Sequence, residues 1–325
     1  VRIEYAITNR TRRPLLNLYL DPAAHPRGIS LPEGVTTVPW LAPHETVRTH
    51  GYVQAERRGE FFLPQPMAAS PFPFGVFRFS CRGDLTKPLV IYPQYTPLTS
   101  LKLPVGSRDQ AGQMLIHTDS GQNLEFYGCR EYRYGDNPRH IHNPSWARLG
   151  LPIIKEFREE YMSRVAIILD TYPKPIPGLL KVIRRFNPQF EASLSLAASV
   201  TEFLCRHDHI LDFFALGKPP LRGGGGRGQG FLNTILALLA RLKESEGEWP
   251  GVPNEMIMDL QSINAAVFVM LRWDDDRKEV VDVLRSAGIR TRVLYVSERI
   301  DNMPSDPDFT WIKPSQVAAG MVREV

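Results

Sequence analysis

The residues Arg164–Asp170 read RVAIILD, a run of five apolar residues that ends on an aspartate. A strand with no alternating polar positions is buried on both faces, which is typical of mostly parallel sheets covered by helices. After it, segments of helical period alternate with further apolar runs, which are HILDFFAL, AAVFVML and IRTRVLYVS. The sequence therefore predicts an α/β domain with a mostly parallel, Rossmann-like sheet over residues 126–325.

Residues 1–97 have a different pattern. Short segments rich in β-branched and aromatic residues, such as VRIEYAITN and LLNLYL, are separated by prolines and glycines at short intervals. This pattern predicts an antiparallel, immunoglobulin-like β-sandwich. Residues 98–125 are polar with little periodicity and predict a connector. A chain of 325 residues has room for these two domains.

Composition excludes several classes of protein. The three cysteines, Cys81, Cys129 and Cys205, lie far apart and fit neither a disulfide framework nor a structural zinc site. A formal charge of +4 does not require a nucleic-acid partner. No apolar run is long enough to span a membrane. Because the chain begins on Val1, we expect it to be part of a longer protein that has an upstream segment.

Functional groups in an open parallel sheet gather beyond the carboxyl ends of the strands. Here these ends are predicted at residues 170–174, 217–230 and 272–276. A series of strands with an acidic first end resembles the von Willebrand factor A domain. That family holds Mg²⁺ with an Asp-x-Ser-x-Ser loop, a threonine from a second loop and an aspartate from a third, since Mg²⁺ prefers oxygen ligands.

The resemblance implies that Asp170 and Asp274 are remnants of such a metal site. Tyr172 and Lys174 stand where the two serines are expected, and the glycine-rich second segment offers no threonine. We predict that Lys174 pairs with Asp170 and that neither metal nor cofactor binds. A metal-dependent adhesion module remains the alternative, in which water replaces the missing hydroxyl groups.

The segment GKPPLRGGGGRGQG, residues 217–230, suggests a second alternative. Gly223, Gly225 and Gly228 fit the GxGxxG pattern of nucleotide-binding loops, but a run of four glycines matches half of that pattern by accident. No GK[ST] follows the run. We interpret the segment as a mobile loop and keep nucleotide binding as an alternative.

Residues 128–158 mix basic and aromatic side chains, a combination that also occurs in proteins that bind single-stranded nucleic acid. Acids in the same segment favour an internal network instead. We predict that Arg130, Arg133, Arg139 and Asp136 form that network and that no nucleic acid binds. The alternate histidines at 140 and 142, and at 207 and 209, lack a third zinc ligand at suitable spacing.

The same segment carries a specific resemblance to domain-of-unknown-function family 58, whose signature reads REYRxGDxxRxIxWxxxAR. The matching residues are Arg130, Glu131, Tyr132, Arg133, Gly135, Asp136, Pro138, Arg139, Ile141, His142, Ala147 and Arg148. Residues 56–61 resemble the family's RRG-x-Tyr motif, and residues 73–77 resemble its PFGLF motif. Asn143 stands where the signature has tryptophan.

The resemblance implies an interaction protein rather than an enzyme. Members of this family are similar to partners of MoxR-type AAA+ ATPases, with which they assemble or mature a client protein. It also implies a membrane anchor upstream of a cytoplasmic region. We expect partner binding at one sheet edge formed by Tyr172, Gly225, Gly228 and Trp273.

Overall fold

A computed structural model describes most of the chain. The described residues are 2–21, 28–30, 37–63, 66–75, 79–83, 88–103, 124–159, 164–173, 187–253, 256, 258, 260, 263–299 and 304–325. Lys174, residues 76–77 of the PFGLF-like motif and positions 104–123 of the expected connector lie outside them. Within this part of the chain, no helix is both long and apolar enough to cross a membrane.

The amino-terminal part consists of short strands that pair antiparallel. The strands are β1 (Arg2–Thr8), β2 (Leu15–Asp21), β3 (Ile29–Ser30), β4 (Thr37–Leu41), β5 (Thr46–Tyr52), β6 (Gln54–Ala55), β7 (Gly59–Phe61), β8 (Met67–Ser70), β9 (Phe79–Arg82) and β10 (Leu89–Ile91). The largest sheet has the order β4-β2-β8-β9, and the pairs β1-β5, β10-β7 and β3-β6 complete the set. Two small apolar clusters pack between them, one around Leu18 and Leu41 and the other around Val53 and Phe61.

A hairpin with a long excursion follows. Strands β11 (Leu124–Glu131) and β12 (Ile153–Glu159) pair antiparallel. Between them lie a 3-10 turn (Pro138–His140) and helix α1 (Asn143–Leu149). Helix α1 ends at Gly150, whose φ of 71° is the left-handed conformation that favours glycine.

The carboxyl-terminal part is a six-stranded mixed sheet with helices. Its strands are β13 (Arg164–Asp170), β14 (Ile210–Leu216), β15 (Leu221–Gly226), β16 (Ala265–Met270), β17 (Arg290–Val296) and β18 (Phe309–Ile312). Its helices are α2 (Pro188–Arg206), α3 (Gly228–Arg241), α4 (Asp275–Ser286) and α5 (Pro314–Ala318). The strand order is β15-β14-β13-β16-β17-β18, and only β15 runs antiparallel to its neighbour.

Positions 165–169 of strand β13 are all apolar because both faces of the sheet are covered. Val165, Ile167 and Leu169 pack in a cluster with residues of α2 and α3. Ala166 and Ile168 point the other way and pack in a cluster with residues of α4. Successive residues of a strand face opposite sides, so two helical layers require apolar residues at every position.

The first residues of the expected connector belong to the α/β part. Leu98 is buried in the core cluster that includes α2. The backbone N–H of Thr99 donates to the carbonyl oxygen of Arg323, and that of Lys102 donates to Val325. The polar composition of residues 98–125 concealed this packing, because the contacts join positions more than 200 residues apart in the sequence.

Most of residues 217–230 form regular structure rather than the expected mobile loop. Residues 221–226 are strand β15, and helix α3 begins at Gly228. A Cβ atom added at Gly223 would lie 2.6 Å from Cδ1 of Ile235, on α3. The glycine therefore permits a close approach of strand and helix. This packing corrects the loop interpretation.

Arg58 links the amino-terminal strands to the α/β part. Its Nε and Nη2 atoms donate to the two carboxylate oxygens of Glu191, at 2.8 and 2.9 Å. Nη1 donates to the carbonyl oxygens of Leu239, Ala240 and Leu242 at the end of α3. A buried guanidinium thus satisfies carbonyl groups that a helix terminus leaves without partners, and its charge suits that end of the helix dipole.

Candidate functional site

Two acidic residues meet at the carboxyl ends of adjacent parallel strands. Asp170 is the last residue of β13, and its neighbour β16 ends at Met270, four residues before Asp274. Asp274 caps helix α4, because its Oδ1 atom accepts the backbone N–H of Arg277 at 3.2 Å. The sheet topology therefore brings together the two acids that the sequence indicates as remnants of a metal site.

The guanidinium of Arg277 lies between these two acids. Its Nε atom donates to Oδ2 of Asp170 at 2.8 Å, and its Nη1 atom donates to Oδ2 of Asp274 at 2.6 Å. The side chains of Arg277 and Asp170 are 1% and 2% exposed. The remaining capacity of Asp170 is used by the backbone, since Oδ1 accepts the N–H of Tyr172 and Oδ2 also accepts that of Leu271.

The indole ring of Trp249 packs against this ion pair. The guanidinium carbon of Arg277 lies 4.7 Å from the ring centroid, a cation–π contact. The chain before Trp249 is anchored at the carboxyl end of β13, because the N–H of Ser245 donates to the carbonyl oxygen of Thr171. Residues 245–249 therefore close over the end of β13, and we call Asp170, Asp274, Arg277 and Trp249 the closed centre.

Burial and charge act in opposite directions on the two buried groups. Burial raises the pKa of Asp170, while the Arg277 charge and hydrogen bonds oppose that shift. Burial acts to lower the pKa of Arg277, but the charge and hydrogen bonds of Asp170 outweigh it and the pKa is raised. The arginine therefore stays a cation at any ordinary pH.

The cation expected at Asp170 is supplied by Arg277. Lys174, which the sequence suggested for this role, lies outside the described residues. A metal ion at the two acids would have to displace a buried guanidinium and leave it without a partner. Among the residues that the structure describes, no group of three or more His, Cys, Asp or Glu side chains is arranged to hold a metal ion.

Arg277 was missed by the sequence analysis, although one signal points to it. It lies in the first turn of α4, where the helix dipole disfavours a cation, directly after Asp275 and Asp276. An arginine at that position indicates a strong acidic partner. That partner, Asp170, lies 107 positions earlier in the chain and is brought close only by the fold.

The expected interaction edge is not assembled. Tyr172 is 1% exposed and is therefore not a surface anchor. Trp273 is half-buried, and its ring packs edge-on against that of Phe309 at 4.9 Å. Gly225 pairs with Asp212, near the start of β14, whereas Asp170 pairs with Leu216 at its end.

Gly225, and Gly228 shortly after it, therefore lie toward the opposite end of the sheet from the closed centre. The direction of β15 explains why these glycines were predicted at the wrong end of the sheet. No pattern in the sequence indicates that this strand runs antiparallel to its neighbour.

One ion pair lies at the start of the hairpin excursion, in the segment that resembles the signature. Arg130 donates from Nη1 and Nη2 to the two carboxylate oxygens of Asp136, at 2.7 and 2.8 Å. Arg133 takes part through its backbone N–H, which donates to Oδ2 of Asp136. Gly135 has a φ of 103°, so a side chain there would strain this turn.

The other signature residues anchor the ends of the excursion. The N–H of Tyr132 donates to the carbonyl oxygen of Pro152, and the N–H of His142 donates to Ile153. The ring nitrogen Nδ1 of His142 lies 2.6 Å from Oγ of Ser145. Glu131 is paired with Ile153 at the end of the hairpin. These contacts give the signature a structural role.

Large apolar side chains remain exposed on the same excursion. Helix α1 has no buried residue. Trp146 and Leu149 share one of its sides, with 45% and 64% of their surfaces exposed, and Leu151 follows at 53%. Tyr134 is fully exposed in the turn, and the side chains of Arg133, Arg139 and Arg148 are also exposed. We call residues 132–151 the apolar excursion.

Comparisons with other proteins add no identification. No protein-family model matches the chain, and a search of the curated proteins finds no match either.

We predict that Arg277→Met destabilises the protein by about 3–5 kcal/mol, because it leaves the Asp170 carboxylate buried without its cation. The double variant Asp170→Asn/Arg277→Met should be more stable than Arg277→Met alone. Arg272→Met is the control, because Arg272 is partly exposed and 3.7 Å from Asp274, a pair worth about 1 kcal/mol or less. Urea unfolding measures all three, and equal losses for Arg277→Met and Arg272→Met would contradict the prediction.

The Arg130 hydrogen bonds lower the pKa of Asp136 to about 2. Because this pKa is lower in the folded than in the unfolded state, the pair stabilises the protein above the unfolded pKa of about 3.9. That contribution is lost as the pH falls toward about 2. Asp136→Asn should therefore lower the melting temperature at neutral pH.

The difference between Asp136→Asn and the unmodified protein should shrink steadily below about pH 4. Arg130→Met removes the same pair and should behave alike. Melting curves across this pH range measure the effect. A difference that stays constant down to the lowest pH would show that the carboxylate charge is not what stabilises the turn.

Proposed function

We propose that this protein is a non-enzymatic interaction module that acts with a MoxR-type AAA+ ATPase in the assembly or maturation of a client protein. The resemblance of its signature segment supports the identity of the partner. The exposed side chains of the apolar excursion carry the proposal, because they give that segment a surface suited to a protein partner.

The closed centre supports an interaction role over catalysis. Functional groups of open parallel sheets face solvent beyond the strand ends. Here the acid at that place is 2% exposed and is neutralised by an arginine that is 1% exposed. A carboxylate with both oxygens engaged by donors is poorly suited to act as a metal ligand or as a general base.

The composition of the apolar excursion resembles that of interface anchors. Tryptophan, tyrosine and arginine dominate the binding energy of many protein interfaces, in which aromatic rings fill pockets of the partner. Trp146 and Leu149 project from one helix side, and Arg148 is exposed on another side of the same helix. Such a surface fits an apolar groove with an acidic rim on the ATPase.

The fixed geometry of the excursion also favours this use. The Arg130–Asp136 pair and the backbone bonds to Pro152 and Ile153 hold its ends in place. A partner that binds it therefore orders few additional groups, and less conformational entropy is lost on association. As part of the proposal, the described chain is the cytoplasmic region of a protein anchored upstream.

Affinity capture from the native organism tests this proposal. The unmodified protein should recover a MoxR-type ATPase, and Trp146→Ala/Leu149→Ala should reduce that recovery by about tenfold or more, as loss of an interface hot spot does. Trp40→Ala is the matched control, because Trp40 is 57% exposed on β4 in the amino-terminal part. It should leave recovery unchanged.

Melting temperatures should be equal for the unmodified protein and both variants, since all the substituted side chains are exposed. If no ATPase of this type is recovered, the identity of the partner is wrong. If Trp146→Ala/Leu149→Ala recovers the ATPase as well as Trp40→Ala does, the identity of the partner is supported but its binding surface lies outside the apolar excursion.

A further inference from the structure

Three turns lie close together at one end of the amino-terminal strands, and we call them the turn end. They are the turn between β1 and β2, the turn between β4 and β5 and the turn after β8, which span residues 9–14, 42–45 and 71–75. Thr8 pairs with Thr46 beside the first two turns. The hydroxyl group of Ser70 donates to the carbonyl oxygen of Leu16, shortly after the first turn, so the third turn begins next to it.

A buried asparagine fixes the first two turns. Asn9 is fully buried, and its Nδ2 atom donates to the carbonyl oxygens of Arg13, Leu41 and Ala42, at 2.9, 3.2 and 3.0 Å. Its Oδ1 atom accepts the backbone N–H and the hydroxyl group of Thr11. A buried amide with both ends engaged holds the surrounding backbone in one arrangement. A ligand of these turns therefore orders few additional backbone groups.

The turn end is positively charged. Arg10, Arg12 and Arg13 are exposed on the first turn. The only acidic residue in the sequence of the three turns is Glu45, whose Oε2 atom accepts the backbone N–H of Ala42 at 2.8 Å. Guanidinium groups bind phosphate with two parallel hydrogen bonds. The charge and the kind of side chain both favour a ligand that carries phosphate groups.

Two phenyl rings project from the third turn, whose sequence is Pro-Phe-Pro-Phe-Gly. Phe72 and Phe74 are 48% and 85% exposed, and neither belongs to the apolar clusters that the described amino-terminal strands form. A phenyl ring makes no hydrogen bond that would offset its contact with water. Neighbouring exposed rings mark a surface that binds a protein or a membrane.

The backbone of the third turn favours a membrane. Pro71 and Pro73 have no N–H group. The N–H of Phe72 donates to Oγ of Ser70 at 3.2 Å, and the N–H of Gly75 donates to the carbonyl oxygen of Pro71 at 2.8 Å. A protein or a nucleic acid could accept hydrogen bonds from free N–H groups, whereas lipid chains cannot. A turn with so few free donors is suited to an apolar medium.

We propose that the turn end binds the surface of an anionic lipid bilayer. Phe72 and Phe74 enter the boundary between headgroups and lipid chains, and Arg10, Arg12 and Arg13 contact lipid phosphate groups. A single weak signal gives only marginal membrane binding, so the rings and the charges act together. The proposal rests neither on the ATPase nor on the expected upstream anchor, because the surface lies within the described chain.

Flotation with lipid vesicles tests the proposal. The anionic vesicles consist of phosphatidylcholine with about one third phosphatidylglycerol, and the comparison is phosphatidylcholine alone. We expect saturable binding of the unmodified protein to the anionic vesicles and binding about tenfold weaker or worse to the neutral ones. In the bound protein, the backbone amides of residues 9–14 and 71–75 should exchange hydrogen more slowly.

Removing charge from the turn end should weaken this binding. An arginine near an anionic surface strengthens binding about fivefold, so Arg10→Gln/Arg12→Gln should weaken it about tenfold or more. Lys243→Gln/Lys278→Gln is the control, because it removes the same charge from exposed positions of the α/β part. It should alter binding by no more than about twofold, since charges beyond a Debye length are screened.

Removing the rings tests insertion separately. Phe72→Ser/Phe74→Ser should weaken binding to anionic vesicles about tenfold or more, because membrane binding scales with the apolar area that is buried. Leu221→Ser/Met321→Ser is the control, since both side chains are exposed on the α/β part. It should bind as the unmodified protein does. All these variants should keep the melting temperature, because every substituted side chain is exposed.

Four results would overturn the proposal. They are no saturable binding at lipid concentrations up to about 1 mM, equal binding to both kinds of vesicle, unchanged binding of Phe72→Ser/Phe74→Ser, and slowed exchange outside the turn end. Slowed exchange in residues 132–151 alone would assign the membrane contact to the apolar excursion instead.

Discussion

The buried ion pair between Asp170 and Arg277 occupies the carboxyl ends of strands β13 and β16, where a metal ion or a substrate would otherwise bind. Moving both charges out of water costs several kcal/mol for each ion, and the attraction offsets this cost only with good geometry and further hydrogen bonds. Here Asp274 and two backbone N–H groups supply those bonds, and Trp249 covers the guanidinium. The pair therefore ties the end of β13 to the start of α4 and to the chain around Trp249.

Because the centre is closed, we propose that partners bind to the outer surface of the molecule. The apolar excursion offers large side chains held by the Arg130–Asp136 pair. Arg58 joins the amino-terminal strands to the α/β part through two hydrogen bonds to Glu191 of α2 and three to carbonyl oxygens at the end of α3.

Local patterns in the sequence predicted the elements, whereas contacts between distant residues determined the site. The run RVAIILD predicted a doubly buried strand, because its apolar residues must face two layers. The glycine run was wrongly interpreted as a loop. Glycine is needed there because Phe231 and Ile235 of helix α3 pack closely against the strand, and this contact is not visible in the local sequence. Arg277 was missed because an arginine on a polar helix normally indicates solvent exposure. Only for Arg277 did the sequence contain a signal, which is the presence of a cation in the first turn of a helix.

Calorimetric titration with Mg²⁺ tests the claim that Arg277 occupies the position of a metal ion. The unmodified protein should give no saturable heat, and millimolar Mg²⁺ should not raise its melting temperature, because the acids already share a cation that stays charged. Arg277→Ala frees both carboxylates and is the variant in which weak binding is expected. Saturable Mg²⁺ binding by the unmodified protein that is abolished by Asp170→Ala would contradict the claim and support a metal-dependent adhesion module.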